Sequence, residues 1–123
     1  MSPFACDAAS AGSAARRKWH DRRMDHADYL NFDYASAGEQ IRLLGSTRGE
    51  SAVFADAVCA LYFKAKYDSL SASLLFACLG PSDSQAAGTS GADIHQYNWT
   101  GFNSIESSTR FVVLDGQVVE VEG

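Results

Sequence analysis

The chain has 123 residues, 46% hydrophobic, 11% aromatic and 20% charged; one soluble domain is expected at this length, because two cores of usual size do not fit. Its 2 Trp, 5 Tyr and 7 Phe exclude a disordered chain, and 10 Gly and 2 Pro spread without period exclude a collagen-like or low-complexity one. The net charge of -5, from 15 Asp and Glu against 10 Lys and Arg, argues against a protein whose main task is to neutralise phosphates.

Residues 1–15 are mostly Ala, Ser and Gly and carry too little apolar surface to pack. A flexible N-terminal tail is expected there, followed by a single α+β domain over residues 16–123. Residues 14–27 suit a helix with Arg17 and Asp21 at i, i+4, and Trp19 and Met24 give it a thin apolar stripe. Tyr29, Leu30, Phe32 and Tyr34 read as an extended connector pinned to the core. Asp33 is placed to cap a first core helix, in which Tyr34, Ala37, Ile41 and Leu44 repeat at helical spacing until Gly45 supplies the stop. Thr47 and Glu50 have the spacing of a capping box. They open the clearest element, a helix over residues 48–66, where Phe54, Ala57, Val58, Leu61, Tyr62 and Ala65 form one stripe. Val53, Ala60 and Phe63 widen that stripe, which puts this helix at the centre with cover on two sides.

Asp68 or Ser69 can open a third helix, with Leu70, Leu74, Ala77 and Cys78 on one face and Gly80 and Pro81 as its stop. Leu70, Ala72, Leu74, Phe76 and Cys78 also alternate with serines, so a strand competes over residues 69–79. Helix is preferred because Ala and Leu abound between the two signals. Residues 81–93 read as a long loop, mobile or functional, and residues 94–104 as a strand. Asp115 and Gly116 mark a two-residue hairpin turn. An uninterrupted register sets Val113 opposite Val118 and Phe111 opposite Glu120 on one side, with Val112 opposite Val119 and Arg110 opposite Val121 on the other. The expected architecture is three to four helices and a C-terminal antiparallel hairpin or small sheet.

Cys6, Cys59 and Cys78 are an odd number in no close pairing, which predicts free thiols, a reducing compartment and a cytoplasmic location. Cys59 and Cys78 read as small core hydrophobes, and Cys6 has no neighbouring His to activate it. No uncharged stretch is long enough to span a bilayer, and the N-terminus lacks the basic-then-apolar order of a secretory signal. His20 and His26 lie six residues apart and face different sides of a helix, amid Arg16, Arg17, Lys18, Arg22 and Arg23, so no metal site is expected. Neither a nucleophile elbow, a phosphate-binding loop, a dinucleotide fingerprint nor a paired-cysteine motif appears. No cofactor is called for.

Two stretches remain as candidate contact surfaces. Arg16, Arg17, Trp19, Arg22 and Arg23 combine cations with an indole, a pattern that suits either nucleic acid or a protein partner. Asp21, Asp25 and Asp28 intersperse them and favour the protein partner. Tyr97, Asn98, Trp99 and Phe102 combine rigid aromatics with an adaptable amide, the composition of a contact surface. The same aromatics can instead close the bottom of a small core. From residue 67 onward seven acids face a single base, Arg110. Together these features predict a small non-enzymatic protein that binds a macromolecular partner, an inhibitor or accessory protein of mobile-element type acting on a basic nucleic-acid-handling protein complex. The alternatives are a small enzyme with a site around His95, Tyr97 and Asn98 assisted by Asp93 or Glu106, and a DNA-binding regulator using the basic helix over residues 16–23.

Overall fold

The computed structural model describes Cys6, residues 28–101 and residues 106–123. Helices come first and a sheet last: α1 (Tyr34–Leu44), α2 (Ala52–Tyr67), α3 (Ala72–Leu79), then β1 (Ser84–Ala87), β2 (Asp93–Thr100), β3 (Glu106–Leu114) and β4 (Gln117–Glu122). The four strands form one antiparallel meander in the order β1-β2-β3-β4, so the α+β class holds. The expected basic helix over residues 14–27 lies outside the described residues.

Local signals explain the helix ends. The Asp33 carboxylate accepts from the Ser36 amide at 3.0 Å and opens α1, which ends at Gly45. The Thr47 and Glu50 pair does not open α2. Residues Gly45–Glu50 instead form a 3-10 turn, and the Thr47 hydroxyl donates back to the Leu44 carbonyl at 2.9 Å. Ser51 takes over as the cap, its hydroxyl accepting from the Phe54 amide, because the turn needs those six residues to carry the chain from α1 into α2. The third helix likewise starts later than expected, at Ser71, whose hydroxyl accepts from the Leu74 amide. Leu70 and Ala72 are occupied otherwise: the Leu70 carbonyl accepts from the Val118 amide and the Ala72 amide donates to the Gly116 carbonyl. A one-residue bridge of Ser71 to Gln117 therefore precedes the helix, and both competing assignments for residues 69–79 contain part of the answer.

The middle of α2 is buried on nearly every side. Phe54, Ala55 and all residues from Ala57 to Phe63 are buried, more than one apolar stripe supplies, because α1 and α3 cover one side and the sheet the other. Each Phe or Leu fully buried here contributes roughly 1.5–3 kcal/mol. At the α1–α3 crossing Gly38 permits close approach: a Cβ there would lie 2.8 Å from the Ala77 carbonyl oxygen. Cys59, in the middle of α2, is bonded to Cys6 with Cα atoms 5.4 Å apart. This corrects the expectation of free thiols. Both residues are fully buried, and Cys6 belongs to the core; the rest of the tail expected over residues 1–15 lies outside the described residues. The third cysteine, Cys78, is free and buried.

Two further expectations change. Residues 81–93 are not a structureless loop, since β1 pairs with β2 there, Ser84 opposite Gln96 through Ala87 opposite Asp93. Its Ser-Gln-Ala-Ala sequence has no β-branched or aromatic residue to announce a strand. Asp28–Asn31 is a 3-10 turn where an extended connector is expected, although Phe32 and Tyr34 do pack on the core, ring edge to ring face with centroids 5.0 Å apart.

The hairpin forms at Asp115 and Gly116, both with positive φ, as its two-residue turn requires. Val113 pairs with Val118, but a bulge between Val112 and Val113 then shifts the register, so that Phe111 meets Val121 and Arg110 meets Glu122. The reason is burial. Without the bulge Glu120 would face the core beside Phe111, which is fully buried, whereas the extra residue turns Val121 inward and Glu120 out. Arg110 and Glu122 then sit 3.5 Å apart on the outer face, a solvent-exposed pair worth less than about 1 kcal/mol. Among the described residues, no helix is long and apolar enough to cross a membrane.

Candidate functional site

Strand parity decides where the expected site residues point. On β2, Tyr97 and Trp99 face the helices and are buried, while Asn98, between them, is exposed. The Trp99 indole N–H donates to the buried Thr109 hydroxyl at 3.0 Å. The Tyr97 hydroxyl donates to the Gly80 carbonyl at 2.7 Å, and its ring meets the Phe111 ring edge to face. Both rings are therefore core, as the second of the two possibilities for this aromatic cluster has it, and neither is available as a surface anchor. Phe102, Arg16, Arg17, Trp19, Arg22 and Arg23 lie outside the described residues.

The residues of the enzyme alternative are separated. His95 and Tyr97 share the inner face of β2, and Asn98 is on the outer face. Glu106 pairs with Thr100, five positions along β2 from His95, which is about 17 Å. His95 Nδ1 is 3.0 Å from the Ser82 hydroxyl, and its ring packs edge to face on Phe76. Asp93 is exposed at the start of β2.

A different residue organises the surface nearby. Strand β1 covers β2 only as far as Gln96, which leaves the Asn98 amide on an open edge. Asp83 closes it: its own amide donates to the Gln96 carbonyl at 2.8 Å, and its carboxylate accepts from the Asn98 amide at 2.7 Å. The other carboxylate oxygen lies 3.4 Å from the Arg48 guanidinium. Arg48 also donates to the Leu79 carbonyl and to the Pro81 carbonyl at 2.7 Å. With the Gly80 carbonyl taken by Tyr97, three successive carbonyls from the last residue of α3 onward are held by two side chains. The guanidinium carbon lies 5.1 Å from the Phe54 ring centroid and 5.7 Å from that of Tyr97, within cation–π range. A cation fits here because the negative end of the α3 dipole and the Asp83 carboxylate converge on it. Arg48 stands at the start of the helix expected over residues 48–66, and a lone Arg in a short turn between two apolar helices is the clue in the sequence to its role.

Two confluent depressions flank this turn. One, of about 620 Å³, lies between α1, α3 and the Gly45–Glu50 turn, with Ile41, Phe76, Ala77 and Leu79 as apolar wall and Arg42 and Arg48 as its cations. The other, of about 520 Å³, is polar and lies between the turn and the strand ends, with Glu50, Gln96, Thr100, Glu106 and Ser108 among its walls. Ser46, Gly49 and Asn98 belong to both. Arg48 is spent on its own neighbours, which makes it part of the wall. Arg42, exposed in the last turn of α1, makes no ion pair or side-chain hydrogen bond with the described residues.

The buried acids give the site a pH response. Burial pushes the Cys78 thiol from 9.0 up to about 12, so it is inert as a nucleophile at neutral pH. Burial likewise raises the Tyr97 phenol above its usual value, with the nearby Arg48 charge opposing only in part. Both groups release their protons more readily in the unfolded chain. Their contribution to stability is complete below about pH 9 and is lost as pH climbs from there toward 12. The melting temperature is therefore expected to fall between pH 9 and 11 in wild type, and less steeply in Cys78→Ala; equal slopes in the two proteins would contradict this assignment.

Comparison with known protein families, with curated proteins and with solved structures found no match to this chain.

Proposed function

We propose that the protein works by binding another macromolecule, a basic protein complex, through the outer face of its sheet. The observation that supports this is the sidedness of the sheet. Its inner face carries the buried Tyr97, Trp99, Thr109, Phe111 and Val118, whereas no described residue of the outer face is buried. Beside the half-buried Ile94 and Val112, that outer face presents Gln96, Asn98 and Ser108 with the acids Glu106, Glu120 and Glu122, against one base, Arg110, already paired with Glu122. Polar, adaptable side chains with a surplus of carboxylates suit a basic partner through charge complementarity. The face also includes Asn98, the one residue of the expected aromatic contact cluster that is described and exposed.

The finer identity, an inhibitor or accessory protein of mobile-element type aimed at a nucleic-acid-handling complex, extends the same electrostatic argument. Its cytoplasmic setting rested on unpaired cysteines. With Cys6 and Cys59 joined, an oxidising compartment suits the chain better, and a cytoplasmic one requires that complete burial protect the bond from reduction. Rapid alkylation on cell lysis reads the thiol state directly.

The test compares wild type with Glu106→Lys/Glu120→Lys as immobilised bait. One basic complex is expected to be retained by wild type, released as salt rises, and lost from the charge-reversed bait. Retention that ignores both salt and charge reversal would overturn the proposal. So would turnover of a small substrate that Ser82→Ala and His95→Ala abolish with the fold intact. That outcome would favour the enzyme reading, for which the Ser82–His95 contact is the supporting observation.

A further inference from the structure

We infer that the 620 Å³ depression between α1, α3 and the Gly45–Glu50 turn is a binding site for a small apolar carboxylate, with Arg42 as the counter-ion. This site shares Asn98 with the outer sheet face but stands without the function proposed for that face. Its size falls within the usual range for small-molecule sites. Ile41, Phe76, Ala77 and Leu79 line it with hydrocarbon and an aromatic ring, enough to receive a short aliphatic or aryl body.

Charge selects the head group. The other cation in the wall, Arg48, is neutralised by Asp83 and saturated by the Leu79 and Pro81 carbonyls. Asp83, the carboxylate lining the same depression, is in turn consumed by Arg48 and the Asn98 amide. Among the described residues Arg42 alone retains a free fork of donors at the site, on a chain whose net charge is -5. A guanidinium binds a carboxylate through two parallel hydrogen bonds, and an apolar wall beside it strengthens them by excluding water. A neutral ligand would leave that fork unused, and a cation would be repelled by it. Arg42 also suits the negative end of the α1 dipole, so the test must separate ligand affinity from helix stability.

Octanoate is the probe, titrated by calorimetry into the intact, oxidised protein, with 1-octanol as its neutral counterpart. One saturable site with a midpoint below about 1 mM is expected. Arg42→Gln is expected to weaken octanoate by about tenfold or more and leave 1-octanol unchanged, with a melting temperature close to that of wild type. Ala77→Trp, at an exposed position on the wall, is expected to fill the depression and abolish binding of both. If that variant does not fold, Ser46→Trp closes the same mouth from the turn. Absence of saturable octanoate binding to wild type would overturn the inference, as would octanoate affinity unchanged by Arg42→Gln or by a folded wall-filling variant.

Discussion

Arg48→Ala is expected to destabilise the protein by about 3 kcal/mol, a fall in melting temperature of about 10–15 °C. The Arg48 side chain is 15% exposed, and the Leu79 carbonyl it holds belongs to a fully buried residue, whereas Pro81 and Asp83 keep access to water. Its loss strands the Leu79 carbonyl, releases the Pro81 carbonyl, leaves the Asp83 carboxylate without a counter-charge and removes the cation packed on the Phe54 and Tyr97 rings. Removing one member of a partly buried ionic network costs more than the network contributes, because the polar groups that remain buried keep their desolvation without their partners. Arg48→Lys is expected to recover only part of the loss. A single ammonium cannot span two carbonyls and a carboxylate as a planar fork does. Thermal or denaturant unfolding of the two variants checks this; a loss under about 1 kcal/mol in Arg48→Ala would mean that water replaces the guanidinium without penalty. Asp83→Asn should be milder, since an amide oxygen can still accept from the Asn98 amide.

Breaking the Cys6–Cys59 bond should cost a similar or larger amount. The cysteines are 53 residues apart in sequence, and closing a loop of that length removes chain entropy from the unfolded state worth about 4 kcal/mol. Because both residues are fully buried, reductant should act slowly on the native protein and quickly once denaturant opens it. The measurable expectation has two parts. Alkylation of the unreduced, denatured protein should modify Cys78 alone, and Cys6→Ser combined with Cys59→Ala should melt roughly 15 °C lower than the oxidised wild type. Three modified cysteines in unreduced protein, or equal melting temperatures, would contradict the pairing and its role.

The sequence carried its information unevenly. Where a signal is local, it was legible: Asp33 and Gly45 bracket α1, the Phe54 to Ala65 stripe locates α2, and Asp115-Gly116 places the hairpin. These depend on backbone hydrogen bonds and periodicity within a few residues. Where residues serve partners distant in sequence, the signal was absent or misleading. Cys6 and Cys59 show nothing in their spacing. Thr47 and Glu50 imitate a capping box that the turn between helices overrides. β1 becomes a strand only because β2 offers it an edge.

The candidate site followed the same division. Composition picked out Tyr97, Asn98 and Trp99 as a group, but strand parity sends two of them inward and one outward, and composition carries no parity until a register exists. The bulge at Val112 and Val113 likewise responds to a core that must accept Val121 and reject Glu120. Arg48 acquires its role when α3 ends against β2 and two carbonyls and the Asp83 carboxylate converge on one guanidinium. The sequence by itself determined the class of the fold, helices followed by an antiparallel sheet, because helical and strand periods and turn chemistry are properties of neighbouring residues. The tertiary structure alone decided the disulfide, the register, the clasp around Arg48 and which side chains of the sheet turn toward the helices, because each is a contact between segments that only a shared core brings together.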